Sequence, residues 1–394
     1  MKHILIRHKK VLLLCLVAVC IFSFFIFLPT ALSVHYTVGQ GAAVLNIASS
    51  TENSEPIFVP SYVATPDVVK GIYMTSWVAG TPSLRSGLVN LIDSTELNSV
   101  VIDIKDYSGK IVFPIEDNPA LKSFGSEDVR VSDMQSFIET LHNKGIYVIG
   151  RIAVFQDAYF VKLRPDLAVK NAAGTETWKD DKGISWIDPG SREYWNYIIE
   201  LSKEARKVGF DEINYDYIRF PSDGNMEDIS YPQSSTTPKA VVLENFFNYL
   251  HNGLSGSGLK TSADLFGMTT TAKNDMGIGQ VLENALPYFD YVAPMVYPSH
   301  YPPTFLGYKN PEQYPYQIVY YAMQSAVARA AALASSTGTT VAGLRPWLQD
   351  FGLTMDYGPA EVLAQIKAVN DVGLSSWILW SASNKYTQGA LNNN

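Results

Sequence analysis

Residues 209–221 (GFDEINYDYIRFP) concentrate ionisable side chains at the end of a predicted strand. The β-rich run follows a helical segment that ends at Gly209, and Pro221 prevents the strand from continuing. Asp216 and Arg219 therefore lie where the strand ends. If the strand belongs to a (β/α)₈ barrel, this is the end at which such barrels carry out chemistry. An acid beside an arginine and aromatic residues indicates a sugar site there.

Cleavage of a glycosidic bond needs two carboxyl groups, one ionised and one protonated. Asp216 is the best candidate for the ionised group, because Arg219 or Lys105 would favour its charged form. Asp264 or Asp350, which follow later strands, would be the acid. Either acid could instead form a structural salt bridge at a strand end.

The ends of the other predicted strands carry polar and aromatic residues suited to sugar contacts. Tryptophan rings offer flat apolar faces for pyranose rings. Asp103 and Asp106 are expected to accept hydrogen bonds from sugar hydroxyls or to pair with Arg151. The predicted substrate-binding residues are Trp77, Asp103, Lys105, Asp106, Arg151, Asp157, Tyr217, Arg219, Tyr297, His300, Trp347, Gln349 and Trp380.

The sequence offers little for other kinds of catalysis. There is no His-x-His or His-Glu-x-x-His motif, so we expect no metal and no cofactor. No Gly-x-Ser-x-Gly motif is present, which argues against a serine hydrolase. Cys15 and Cys20, the only cysteines, both lie near the N-terminus.

Short β-rich runs alternate with helical segments from about residue 69 onward, which is the pattern of a parallel sheet. The predicted strands are 70–76, 99–104, 146–152, 212–216, 260–265, 291–296, 341–348 and 376–380. The clearest predicted helices are 133–144, 192–208, 240–254, 317–335 and 359–372. Eight strands favour a single (β/α)₈ TIM barrel whose eighth helix is short or missing. A doubly wound sheet is the alternative, but its Gly-rich phosphate turn is absent.

The N-terminus predicts a membrane anchor. Four basic residues precede an uncharged apolar run at 11–28, so residues 1–34 read as a cytoplasmic stub and a transmembrane signal-anchor. The alternative is a signal peptide cleaved near residues 31–33, which would release a secreted protein. Residues 35–67 read as a flexible linker, and 68–394 as the barrel. The barrel is then expected outside the cytoplasm, on a single-pass membrane protein.

Net charge argues against nucleic acid or an anionic polymer as the main partner. The whole chain carries −8, and its first 34 residues hold four basic residues and no acid. The remainder therefore has 26 basic and 38 acidic residues, a net charge of −12. A polyanion would be repelled by most of such a surface.

Six ordered motifs resemble the bacterial "putative glycoside hydrolase domain" family, related to the α-amylase-like TIM barrels. They are 101–109 (VIDIKDYSG), 147–157 (YVIGRIAVFQD), 214–221 (NYDYIRFP), 262–267 (SADLFG), 293–301 (APMVYPSHY) and 345–350 (RPWLQD). The resemblance implies Asp216 as nucleophile, Asp264 as proton donor and Asp350 as transition-state stabiliser. The donor in α-amylase-like enzymes is usually Glu, whereas this chain has Asp.

The run 211–218 also partly resembles the D-x-x-D-x-D-x-E motif of family 18 chitinases. Ile218 replaces the terminal Glu, so that mechanism lacks its proton donor. The sequence thus predicts a membrane-tethered, retaining glycoside hydrolase acting on an extracytoplasmic or cell-wall poly- or oligosaccharide. The alternative is a catalytically inactive barrel that binds glycans or associates with the envelope.

Overall fold

The computed structural model describes residues 58–393, and this part of the chain forms a closed parallel barrel. Each strand pairs in parallel with its neighbours, and pairing of β5 with β6 closes the sheet. The strands are β1 Lys70–Met74, β2 Ser99–Lys105, β3 Tyr147–Ala153, β4 Glu212–Asp216, β5 Lys260–Phe266, β6 Tyr291–Met295, β7 Gly343–Leu344, β8 Trp347–Gln349 and β9 Trp377–Trp380. Because β7 and β8 both lie beside β6, the barrel has eight strand positions, which confirms the predicted fold.

Helices cover the outside of the barrel. The longer ones are Pro82–Ser94, Met134–His142, Arg192–Val208, Lys239–Leu254, Pro315–Thr337 and Pro359–Asp371; the short ones are Ser76–Ala79, Pro119–Ser123, Ala158–Leu163 and Leu282–Ala285. The helix Arg192–Val208 begins at Ser191, whose side chain accepts a hydrogen bond from the Tyr194 N–H. It ends at Gly209, whose positive φ of 124° lets the chain turn directly into β4.

Two elements differ from the predicted ones. The predicted strand 341–348 is divided into β7 and β8 because Pro346 has no N–H to donate to the sheet. Residues 154–191 form a long connection that holds only the short helix Ala158–Leu163 and the 3₁₀ turn Pro165–Leu167. Its isolated bridges, such as Ala168 with Ile187 and Lys179 with Ser185, fold it back on itself.

The described residues after β9, 381–393, contain no helix of ordinary length, as the sequence predicts, but only the 3₁₀ turn Gln388–Ala390. The segment before that turn attaches to β1 instead. The Asn384 Oδ1 accepts from the Thr75 N–H at 2.9 Å, and the Tyr386 hydroxyl accepts from the Tyr73 N–H at 3.0 Å.

The N-terminal end of the barrel interior is filled by a buried ion pair between Arg345 and Glu212, and Tyr147 donates to Glu212 at 3.0 Å. Access is therefore left at the opposite end. Within residues 58–393 no helix is long and apolar enough to cross a membrane. The predicted anchor at 1–34 and most of the predicted linker lie outside the described residues.

Candidate active site

The polar side chains of β4 and β5 are placed by strand alternation. Ile213 and Tyr215 pack in the apolar layer beneath the helices, so Asn214 and Asp216 face the interior. The register pairs Asn214 with Ser262 and Tyr215 with Ala263, which sets Asp216 beside Asp264 on the neighbouring strand. Both carboxyl groups line one cavity at the C-terminal end of the barrel.

Arg151, at the end of β3, joins two carboxylates. Its Nη2 lies 2.5 Å from Asp216 Oδ2, and its Nη1 lies 2.6 Å from Asp103 Oδ1. Burial disfavours the charged guanidinium, but the carboxylates of Asp216 and Asp103 raise the pKa of Arg151 well above its usual value. The sequence predicted Arg219 or Lys105 as the partner of Asp216, whereas Arg151 fills that role.

Within residues 58–393, Asp264 forms no salt bridge with a cationic side chain. Asp264 is 1% exposed, and its Oδ1 accepts hydrogen bonds from Asn214 Nδ2 and Trp347 Nε1, each at 2.7 Å. Burial, and secondly repulsion from Asp216, raise the pKa of Asp264 well above its usual value. Asp264 is thus the carboxyl group of this cavity that most readily keeps its proton.

The cavity has a volume of about 360 Å³, enough for part of an oligosaccharide chain. Tyr297, Trp347 and Trp380 contribute aromatic rings, and Trp380 stacks on Tyr73 with the ring centres 4.1 Å apart. The full lining is Arg151, Asp216, Tyr217, Arg219, Asp264, Phe266, Gly267, Met268, Met295, Tyr297, His300, Tyr301, Trp347 and Trp380. Nine of these were predicted as site residues: Arg151, Asp216, Tyr217, Arg219, Asp264, Tyr297, His300, Trp347 and Trp380.

His300 lies at the edge of the aromatic part of the lining. Its ring contacts Tyr297 and Phe351 edge-on, and Ser299 Oγ lies 3.0 Å from its Nδ1. Burial lowers the pKa of His300, which favours the neutral imidazole near pH 7. A neutral ring is suited to hydrogen bonding rather than to ion pairing.

Asp350, predicted as a transition-state stabiliser, is not among the residues that line the cavity. Its two carboxylate oxygens accept from the backbone N–H and the hydroxyl of Thr387, at 2.8 and 2.6 Å. This carboxylate holds the segment that replaces the eighth helix. Gln349 is likewise turned away, donating to Glu312 and to the Phe351 carbonyl.

Lys105 and Asp157 pair with each other away from the cavity. Their Nζ and Oδ2 atoms lie 2.9 Å apart, and neither side chain is exposed. The register of β2 shifts between Asp103 and Lys105, which turns Lys105 toward the helices. Asp157 also begins the helix Ala158–Leu163 by accepting from the Phe160 N–H.

Three further predicted residues lie behind or beside the cavity. Asp103 does not line it but supports Arg151 and accepts from the Tyr73 hydroxyl. Asp106 binds Arg130 at 2.6 Å. Trp77 is 66% exposed, with the Arg130 guanidinium 4.5 Å from its ring centre.

Two residues that contact the acids were not predicted. Asn214 donates to Asp264, and Tyr73 donates to Asp103. Each lies on the inward face of its strand, and Asn214 precedes Asp216 by two residues, so strict strand alternation identifies it. The cavity lining also includes four residues that were not predicted: Phe266, Met268, Met295 and Tyr301.

Among the described residues no group of three His, Cys, Asp or Glu side chains converges as a metal site.

Several solved structures are similar to this chain. A hypothetical protein from Ruminiclostridium thermocellum is 31% identical over 52% of this chain and 98% of its own, with a TM-score of 0.44. The PgaB (BpsB) glycoside hydrolase domain of Bordetella bronchiseptica is 15% identical over 80% of this chain and 94% of its own, with a TM-score of 0.56.

The α-galactosidase of Thermus thermophilus, solved with stachyose, is 11% identical over 83% of this chain and 64% of its own, with a TM-score of 0.50. At such identities the last two likenesses show a shared fold. No curated protein matches the chain. The family model described as "Putative glycosyl hydrolase domain" matches residues 71–386, nearly the whole barrel. The chain therefore belongs to this family of glycoside hydrolase domains.

Proposed function

We propose that the barrel hydrolyses glycosidic bonds with Asp216 as nucleophile and Asp264 as proton donor. One observation carries this proposal: two neighbouring carboxyl groups in one cavity have opposite surroundings. Asp216 is paired with Arg151, whereas Asp264 is buried without a cation and its pKa is raised. Paired carboxyl groups with distinct protonation states are what glycosidic cleavage requires.

In the first step the proton of Asp264 passes to the glycosidic oxygen as its bond to the anomeric carbon breaks. Asp264 Oδ1 accepts both hydrogen bonds, so Oδ2 is left to carry that proton. Asp216 attacks the anomeric carbon and forms a glycosyl ester. Asp264, now ionised, takes a proton from water, whose oxygen attacks the same carbon and restores Asp216.

Retention of the anomeric configuration is favoured by the strand register. Neighbouring strands lie about 4.8 Å apart, and Asp216 and Asp264 follow paired residues of β4 and β5. The carboxyl groups of retaining enzymes lie roughly 5–5.5 Å apart and those of inverting enzymes about 6.5–9.5 Å apart, and side chains on adjacent strands suit the shorter separation. NMR of the first-formed product tests this: inversion at the anomeric carbon would rule out the nucleophile role of Asp216.

The proton donor is tested with Asp264→Asn. We expect kcat/KM, which reports the first step and not the later hydrolysis of the glycosyl ester, to fall by about 10²–10⁴-fold on substrates with poor leaving groups, because these need protonation. Aryl glycosides with acidic phenols should be much less affected. An equal loss on both substrate types would remove Asp264 from the donor role.

We further propose that the substrate is an extracytoplasmic or cell-wall glycan and that the barrel is tethered by the N-terminal apolar run. The basic residues before residues 11–28 support this orientation. Cell fractionation and protease treatment of spheroplasts test it. A barrel that stays protected inside intact spheroplasts contradicts the proposal, and one released in soluble form indicates signal cleavage.

The alternative function is a barrel that binds glycans without cleaving them. It predicts that glycans bind to the protein and that no hydrolysis product forms.

A further inference from the structure

Within the part of the chain that the structure describes, Arg219 is a buried cation without a carboxylate partner. The residue is 6% exposed and lines the cavity. Its one hydrogen bond within the described residues runs from Nη1 to the Phe220 carbonyl at 3.0 Å. In contrast, Arg151 binds Asp103 and Asp216, and Arg345 binds Glu212. Most of the donor capacity of Arg219 therefore remains unused.

Aromatic rings hold the Arg219 guanidinium in place. The ring centres of Trp186 and Phe266 each lie 4.8 Å from its Cζ, and that of Tyr217 lies 5.4 Å away. Tyr217 adopts a positive φ of 52°, which is uncommon for an aromatic residue. Cation–π contacts stabilise the charge but accept none of its N–H groups. The arginine is thus positioned in advance with most of its donors free.

The acids near Arg219 are occupied by other groups. Asp216 is paired with Arg151, and Asp180 accepts from Trp186 Nε1 at 2.9 Å and from Gln156 Nε2 at 2.7 Å. Asp223 influences Arg219 only at a distance, and burial lowers the pKa of Arg219. A buried guanidinium of this kind gains most from a ligand that brings a negative charge.

We propose that Arg219 binds the carboxylate of an acidic sugar, such as a uronic acid or a sugar with a carboxylate-bearing substituent. This inference rests on the proposed function, since it names the sugar class that occupies the same cavity. The planar guanidinium presents two parallel N–H groups that match a carboxylate. The acidic body of the protein, at −12 beyond residue 34, disfavours a polyanion. The substrate is therefore a glycan in which acidic sugars are spaced among neutral ones.

Matched sugars test the proposal on the full chain by titration calorimetry at pH 7. Glucuronate is compared with glucose, and galacturonate with galactose, because each pair differs only in the carboxylate. N-acetylmuramic acid and N-acetylglucosamine form a third pair for a carboxylate on a substituent. We expect at least one acidic sugar to bind about tenfold more tightly than its neutral partner.

Variants assign the preference to Arg219. Arg219→Gln should abolish the tenfold difference, and Arg219→Lys should retain part of it. Arg164→Gln, which removes an exposed arginine paired with Asp166 and Glu193, should leave it unchanged. Equal or weaker binding of every acidic sugar in the unaltered protein, or a preference that persists in Arg219→Gln, overturns the proposal.

Hydrolysis is measured separately with neutral and acidic aryl glycosides. Cleavage of neutral ones alone would contradict only the acidic-sugar proposal, whereas acidic-sugar binding without any hydrolysis would contradict only the catalytic one.

Discussion

At the residue scale, the carboxyl group of Asp264 is buried next to the carboxyl group of Asp216. Because its folded-state pKa is raised, the folded protein binds this proton more tightly than the unfolded chain. The raised pKa therefore favours folding at low pH, and this contribution is lost as pH rises through the folded-state pKa. Above that pKa the ionised form opposes folding, which is a cost of a site organised for catalysis.

Asp264→Asn should therefore raise the melting temperature at pH 7 relative to the unaltered protein. Near pH 4, where about half of the unfolded carboxyl groups are also protonated, the difference should shrink. Melting curves of both proteins between pH 4 and 8 give this comparison. A variant that is less stable at pH 7 than at pH 4, relative to the parent, would contradict the buried and protonated state of Asp264.

The two ion pairs of Arg151 lead to a prediction about the stability of the fold. Removing it leaves Asp103 and Asp216 buried without their shared cation. Arg151→Gln should lower the free energy of unfolding by about 3–5 kcal/mol, measured by denaturant titration. The control Arg164→Gln removes an exposed pair and should cost about 0–1 kcal/mol. Equal effects would mean that Arg151 does not hold the two acids.

Which acids meet in the cavity follows in part from the sequence. Asp216 and Asp264 end neighbouring strands, so the eight-strand pattern places them together. The register shift in β2 cannot be predicted from residue types, and it decides that Lys105 pairs with Asp157. Which arginine reaches Asp216 depends on the length and direction of the side chains on β3. Local sequence patterns do not specify these.

At the element scale, the loop after β2 packs against Asp157 through a glycine. Gly109 has a positive φ of 80°, and a Cβ there would overlap Asp157 Oδ1. Gly174 has a similar φ of 74°, but its surroundings are open. Gly174→Ala should cost only the backbone strain, about 1–2 kcal/mol, whereas Gly109→Ala should cost clearly more. Similar unfolding free energies for the two variants would contradict this packing.

The segment after β9 takes the place of the eighth helix, and Asp350 holds this segment through Thr387. Asp350→Ala leaves the N–H and hydroxyl of Thr387 without their acceptors, at a cost of about 1–3 kcal/mol. Hydrolysis by the folded variant should stay within a few-fold of the parent. Calorimetric unfolding and initial rates measure the two effects. A large loss of rate without loss of stability would restore the predicted catalytic role of Asp350.

At the scale of the whole molecule, the barrel follows from the order of strands and helices, because parallel strands joined by helices close in few ways. The long loop at 154–191 does not follow, since isolated bridges between distant residues leave no periodic pattern. That loop supplies Trp186 beside Arg219. The sequence therefore predicts Arg219 as a site residue but not the loop that positions its guanidinium.

The most direct test of the account is the rate of glycoside hydrolysis by the full chain and by Asp216→Asn. A panel of aryl glycosides and cell-wall glycans first identifies the best substrate. We predict that the unaltered protein cleaves it and that Asp216→Asn loses about 10³-fold or more in rate while its fold remains intact. Undiminished hydrolysis by Asp216→Asn would contradict the central claim that Asp216 forms the bond to the sugar.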